Sequence, residues 1–292
     1  MVGKNKKGDQ AFIFLCYLIS FVAAVLCVYP LIHVLFSSLS NAEKLVLHRG
    51  IMYRPAGFSL KGYELVLKNA NIPVGYYNTI VNMIIGTCLN MALTIVGAYA
   101  LSIKGYMFKR VINLFIIFTM YFAGGLIPNF LLVKGIGLYN TRWALIVPGA
   151  IATWNLIVMR TGFQSVPTTL EEAARIDGAN DFIILFRVVL PVSASTVAVI
   201  ALFYAVSHWN SWFNAMIYLQ KRALFPLQLF LREVLLSNTP SGTIEDPDAD
   251  LLYIEEVIRN ATIIVATVPI LCIYPFVQRY FVKGVMLGSI KE

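Results

Sequence analysis

The groups most able to do chemistry in this chain lie between two apolar runs, over Ser165 to Pro191. Pro167 suits a helix start, and Thr168 with Glu171, or Thr169 with Glu172, has capping-box spacing. Gly178 can take the left-handed conformation that ends a helix, and Asn180 or Asp181 can cap a second one running to Pro191. On the first short helix Leu170, Ala173, Ala174 and Asp177 share a face at i, i+3, i+4 and i+7. Small residues there let a partner's backbone approach closely. Glu172 and Arg175 beside them are opposite charges suited to orienting a docked protein. The chemistry is recognition, not bond making.

A second set suits sugars, which are held by polar groups that replace their hydration and by rings that stack on their apolar faces. His208, Trp209, Asn210, Trp212 and Asn214 cluster in one apolar run, and Asn78, Asn82 and Asn90 in another, with Gly86 in step with the first two at a spacing of four. Pathway lining competes here with helix packing, since Trp favours membrane interfaces and Asn bonds between helices. His33 and His208 are expected to be hydrogen-bonded packing residues. No His, Asp and Glu set converges in the apolar runs, so an enzyme is not indicated. Cys16, Cys27, Cys88 and Cys272 show no C-x-x-C pairing and are expected to be apolar packers, not metal ligands. Glu245, Asp246, Asp248 and Asp250 surround Pro247 without EF-hand spacing and read as a solvated loop. No phosphate loop occurs, and Gly3 to Gly8 does not fit one, so this chain binds no cofactor of its own.

The elements that position these groups are set by hydropathy. The 292 residues are 59% apolar and only 13% charged, with a mean hydropathy of +0.74. Such a composition belongs in lipid. Six apolar runs, at residues 12–36, 79–103, 111–133, 143–159, 188–219 and 261–281, approach or exceed the roughly 20 residues a spanning helix needs. None contains Asp or Glu, and the one cation, Arg279, lies near an end. Proton or sodium coupling usually leaves ionisable groups in the spans, so a secondary transporter is disfavoured.

The expected fold is therefore an all-α membrane protein with six transmembrane helices. A cytoplasmic N-terminus is expected over 1–11, a single six-helix transmembrane domain over 12–283 and a cytoplasmic tail over 284–292, with the short helices near 167–187. The first run is too long for a signal sequence and reads as a retained helix. A count of Lys and Arg barely separates the two sides. Their density does: Lys4, Lys6 and Lys7, and Lys104, Lys109 and Arg110, crowd short segments, which places both termini inside.

The run Glu172-Ala173-Ala174, three residues, Gly178, nine residues, Val188, one residue, Leu190-Pro191 resembles the EAA signature of permease subunits in bacterial ATP-binding-cassette (ABC) importers, at full spacing. The likeness covers most of the chain and is strongest with the carbohydrate branch, the type of the maltose importer's second permease. Leu138-Tyr139-Asn140-Thr141, the run from Trp209 to Asn214, and Pro226-Leu227-Gln228-Leu229 are similar to the LplC/YtcP-like oligosaccharide permeases.

The resemblance implies a type I importer permease fold in the bacterial cytoplasmic membrane. It implies a coupling helix whose ATPase contacts are Glu172, Ala173, Ala174, Asp177 and Gly178, and a pathway in which Asn78, Asn82, Trp209, Asn210, Trp212 and Asn214 are candidates. The implied partners are a second homologous permease, two ATPase subunits carrying the ATP and Mg, and an extracytoplasmic solute-binding protein. Nucleic acid is not among them. The tail Gly284 to Glu292 is similar in place to an extension that reaches the ATPase in the maltose system. The rival readings are the same architecture for a non-sugar solute and, further off, a secondary transporter.

Overall fold

A computed structural model describes residues 7–48, 50–103, 105, 108–236, 254–272 and 275. The acidic segment 245–250, the tail 284–292 and most of the last apolar run after 272 lie outside the described residues. Among the described residues the fold is helical, with one isolated antiparallel bridge, Ser40 to Phe58. The chain divides into two compact units, Met1–Ala70 with Glu233–Val268, and Asn71–Arg232 with Pro269–Glu292.

In the first unit α1 (Lys7–Ser38) is long and apolar enough to cross a membrane, and none of its apolar window is buried inside the chain. Its C-terminal end turns into a small polar knot. Ser38 Oγ meets Tyr63 Oη at 2.7 Å, while Ser40 Oγ donates to the Phe36 carbonyl and accepts from the Ala56 amide. Two short helices follow, α2 (Ala42–Leu47), capped by the Asn41 side chain, and α3 (Lys61–Lys68). Leu45 and Met52 pack with Val257 of the helix at 254–272.

The second unit is organised by α4 (Asn71–Ser102), the other unbroken span. Here the apolar runs prove poor guides to straight helices. The third run is broken into α5 (Lys109–Tyr121) and α6 (Leu126–Gly135), bent by 109°. Gly125 at φ +87° makes that corner, and Pro128 falls in the first turn of the next helix, where its missing N–H costs nothing. The fourth run is split into a single turn, α7 (Trp143–Ile146), and α8 (Thr153–Gln164), around Pro148-Gly149. After α9 (Thr168–Ile176), α10 (Asp181–Val192) meets α11 (Ala194–Trp209) at 87°, and a further break at Asn210 to Trp212 leads to α12 (Phe213–Tyr218). A 3-10 turn, Arg222–Leu224, precedes α13 (Leu227–Leu236).

Irregular backbone at membrane depth requires partners from within the protein, because lipid offers none. Residues of α4 and α11 supply them. Asn90 Nδ2 donates to the carbonyls of Gly149 and Ala150, at 2.7 and 2.9 Å. Tyr204 Oη accepts from the Ala152 amide at 3.0 Å and pairs with Thr94 Oγ1 at 2.8 Å. Asn78 Nδ2 donates to the carbonyls of Ala223 and Phe225, and Thr79 Oγ1 accepts from the Leu227 amide. The apolar core beside this framework joins Ala98, Tyr99, Leu156, Met159, Phe163, Ile184, Leu185, Val189, Ile200 and Tyr204.

Candidate functional site

The segment 167–192 forms an exposed elbow. Pro167 is the N-cap of α9, and its carbonyl accepts from the Leu170 amide at 3.1 Å. Neither Thr168 nor Thr169 makes the expected capping box. Pro167 takes the N-cap position and has no side-chain acceptor to offer the first turn. The other end follows expectation. Gly178 lies at φ +81°, its amide donates to the Arg175 carbonyl at 3.0 Å, and the Ala179 amide donates to the Ala174 carbonyl at 2.9 Å. Those two bonds are a Schellman motif. Asn180 Oδ1 then accepts from the Ile183 amide at 2.9 Å and starts α10.

Arg175 is not left over for a partner. Its Nη2 bonds Asp181 Oδ1 at 2.6 Å, tying α9 to α10 across the glycine turn. Within α10 the Leu185–Val189 stretch is a π turn, which leads into Pro191, a residue without an amide to donate. Ile184, Leu185 and Val189 enter the core, and Ala174 and Ala179 pack against it.

The rest of the elbow faces outward. No α9 residue is fully buried, and Glu172, Ala173, Asp177 and Gly178 are exposed. The face inferred from spacing is thus divided, with Ala174 turned inward and Leu170, Ala173 and Asp177 outward. Apolar groups that the sequence reading passed over stand beside them: Ile176 is 87% exposed, Phe182 68% and Phe186 58%. Their signal was available, as three large apolar residues in a segment outside the spans proper.

The six pathway candidates sit in different surroundings. Asn78 lies inside the unit with its amide fully engaged, donating to the two carbonyls named above and accepting from Arg142 Nη2 at 2.6 Å. In this chain it is a clamp on the 223–225 backbone and not an open pathway group. Asn82 is buried, yet neither its Oδ1 nor its Nδ2 has a partner. Trp209 is also buried, edge-on to Tyr76 at 6.4 Å, with Nε1 unpartnered. Asn210 Nδ2 donates to the Val206 carbonyl at the end of α11, and Asn210, Trp212 and Asn214 are exposed. His208 packs on Gly86 and bonds Asn90 Oδ1 through Nε2 at 2.8 Å, the packing role expected of it. The four cysteines are exposed in this chain and not packed within it.

Comparison with known proteins accounts for this geometry. Residues 72–216 match the family described as binding-protein-dependent transport system inner membrane component. The chain is 39% identical over 289 residues to the polygalacturonan/rhamnogalacturonan transport system permease protein YtcP of Bacillus subtilis (strain 168), covering 99% of each. It is 36% identical to protein LplC of the same organism, over 90% of this chain and 89% of that one. In a crystal structure of a bacterial ABC transporter involved in the import of the acidic polysaccharide alginate, one chain matches with a TM-score of 0.87 at 30% identity, over 96% of this chain and all of that one. A continuous span, two sharply bent helix pairs and the exposed elbow therefore belong to a type I permease fold, and the chain is a membrane-embedded member of the binding-protein-dependent transport system inner membrane component family, a non-enzymatic permease subunit of an ABC importer whose ATP is hydrolysed by a separate subunit.

Proposed function

We propose that this permease carries an oligosaccharide and that the 168–192 elbow is its ATPase dock, with Glu172, Ala173, Ala174, Asp177 and Gly178 as the coupling residues. The observation that carries the docking assignment is the elbow itself. A turn fixed by backbone bonds holds Ala173, Ile176 and Phe182 outward with no use for them inside the chain. An unpartnered apolar face beside exposed Glu172 and Asp177 suits a cleft with an apolar floor and a polar rim. Ala174 serves indirectly, since it seats the helix on the core.

On this reading both termini and the elbow face the cytoplasm. A second homologous permease completes the pathway, two ATPase subunits carry ATP and Mg, and an extracytoplasmic binding protein delivers solute to the opposite side. ATP binding draws the ATPases together, the docked elbows move with them, and the permeases exchange inward-facing for outward-facing states. This chain transduces the movement. Along the pathway, Asn82 and Trp209 have polar atoms unused by the fold and are the candidates for touching solute, whereas Asn78 is committed elsewhere. The oligosaccharide assignment draws on the relatives, whose names include polygalacturonan/rhamnogalacturonan and arabinooligosaccharide transport.

The test uses the reconstituted importer and compares sugar-stimulated ATP hydrolysis for wild type and Gly178→Asp. A Cβ at Gly178 meets no atom of this chain within 4 Å, and Asp is among the few residues that visit the left-handed region. The substitution therefore adds a charge to the docking face without a clash, at a backbone cost of about 1 kcal/mol for a side chain in the left-handed region. Loss of stimulation, with weaker ATPase co-purification, is expected. Unchanged coupling rejects the dock.

A further inference from the structure

The groove between α5 and α8 holds a cation that the fold does not neutralise. The two helices run antiparallel: Asn113 of α5 meets Arg160 of α8, and Thr119 comes within 3.4 Å of Thr153 further along. Arg160 is half-buried and reaches across to donate Nη1 to Asn113 Oδ1 at 2.8 Å, while its Nε is buried with no partner. A neutral amide satisfies one of the guanidinium's donors and none of its charge. Arg110 stands three residues before Asn113 on the same face of α5, exposed and with no partner among the described residues. Lys109 beside it is already engaged, donating Nζ to the Ile103 carbonyl at 3.2 Å.

The surroundings supply no counter-charge. From Asn71 to Leu170 the sequence has no Asp or Glu, so α5, α8 and the α4 packed on α8 carry none, and neither does α11. The nearest acids along the chain, Glu171 and Glu172, open the elbow, and among the described residues neither pairs with Arg110 or Arg160. Lys109 and Arg110 also stand in the first turn of α5, where the helix dipole is itself positive and Phe108 offers no side-chain cap. An anion in the groove would answer all of these at once.

The neighbouring surface says which anion. Leu114 and Phe115 of α5 are 67% and 65% exposed, and Val111 and Phe118 about half. A free phosphate has no use for that apolar wall, whereas a phospholipid places its phosphate at the guanidiniums and its acyl chains along α5. Guanidinium matches phosphate oxygens in two-pronged bonds and sheds water more readily than ammonium does. The groove lies on the elbow's side of the membrane, because α8 ends at Gln164 and α9 begins at Thr168.

We infer that the α5–α8 groove binds the headgroup phosphate of an anionic phospholipid, held by Arg160 and Arg110, with Asn113 positioning Arg160. From the functional reading above it takes only that the elbow faces the cytoplasmic leaflet, where anionic headgroups meet basic pockets between helices. A lipid seated there bears on α8, the helix that leads into the elbow.

The experiment titrates the assembled importer, in neutral detergent, with dioleoylphosphatidylglycerol or dioleoylphosphatidylcholine and counts retained lipid by native mass spectrometry. Wild type is expected to hold phosphatidylglycerol about tenfold more tightly. Arg160→Gln and Arg110→Gln should each bring the two lipids within about threefold, and Arg160→Lys, which keeps the charge, should restore most of the preference. Arg110→Gln alters an exposed side chain, so the site stays testable if Arg160→Gln fails to fold. Equal retention of both lipids by wild type overturns the site. A preference unchanged in both Gln variants also overturns it, since the lipid then sits elsewhere. Binding by the isolated subunit but not by the importer overturns it in favour of a partner subunit covering the groove. Displacement of the lipid by millimolar inorganic phosphate overturns the assignment to lipid. No sugar or ATP hydrolysis enters this readout, so its failure leaves the docking and oligosaccharide readings in place, and theirs leaves it standing.

Discussion

Two helices of the same length, α1 and α4, are both 32 residues long and apolar enough to span a membrane, and they do opposite work. The apolar window of α1 has no share buried within the chain, whereas α4 buries Asn78, Asn82, Gly86, Asn90, Thr94 and Ala98 at a regular spacing of four. Hydrophobicity alone separates lipid from water but not one helix from another, because lipid tails are as apolar as Leu. What marks the organising helix is its small and polar residues, which admit a neighbour's backbone or satisfy it. The uniformly apolar helix is left for lipid or for another subunit.

That contrast can be attacked directly. The largest effect is expected at Gly86, where any added Cβ enters the His208 imidazole. Gly86→Leu should destabilise the isolated subunit by about 3 kcal/mol through overpacking, read as a lower thermal midpoint in detergent. An unchanged midpoint would mean that α4 and α11 do not pack as described. Next, Asn90→Leu orphans two carbonyls and an imidazole nitrogen, so a loss of about 2 kcal/mol is expected.

Asn82→Leu sharpens the comparison because it changes the same residue type two turns away. With neither polar atom partnered, an apolar replacement should leave the midpoint level or raise it by about 1 kcal/mol, while sugar-stimulated ATPase activity falls. A destabilised but active variant would contradict both halves of that expectation. Arg175→Ala removes an exposed ion pair and should cost about 0.5 kcal/mol or less, with any coupling defect exceeding the loss of stability. At the bottom of the scale Leu26→Ala on α1, a residue 68% exposed, should shift the isolated subunit's midpoint by nothing measurable. A large drop there would show that α1 is packed after all.

Much of the elbow was legible because local rules govern it. Pro167 begins α9, Gly178 ends it through a left-handed turn, and Asn180 caps the next helix, each a matter of a few neighbouring backbone groups. The capping box failed on the same local ground, since the proline already held the N-cap position. The interruptions in the third, fourth and fifth apolar runs were missed because hydropathy averages over side chains and ignores backbone punctuation. Gly124-Gly125, Pro148-Gly149 and Pro191 with Ser193 were the available signals. The rung of Asn78, Asn82 and Gly86 was visible as a spacing, but its purpose was not. Asn78 serves carbonyls 145 and 147 residues away, and no local pattern announces such a partner. The Asn113 and Arg160 pair is distant in the same sense, joined across the two short helices between them.

The π turn at Leu185–Val189 sets the aim of the elbow. Such a turn carries one residue more than the α-helical path between the same two points. Each residue of an α-helix advances the azimuth by about 100°. Wound as plain α-helix, the same residues would therefore swing α9 about a quarter turn round the axis of α10; the π turn takes up the extra residue instead. The direction in which Ala173 and Ile176 point is thus a counted property of the chain, set by how many residues stand between the glycine corner and Pro191.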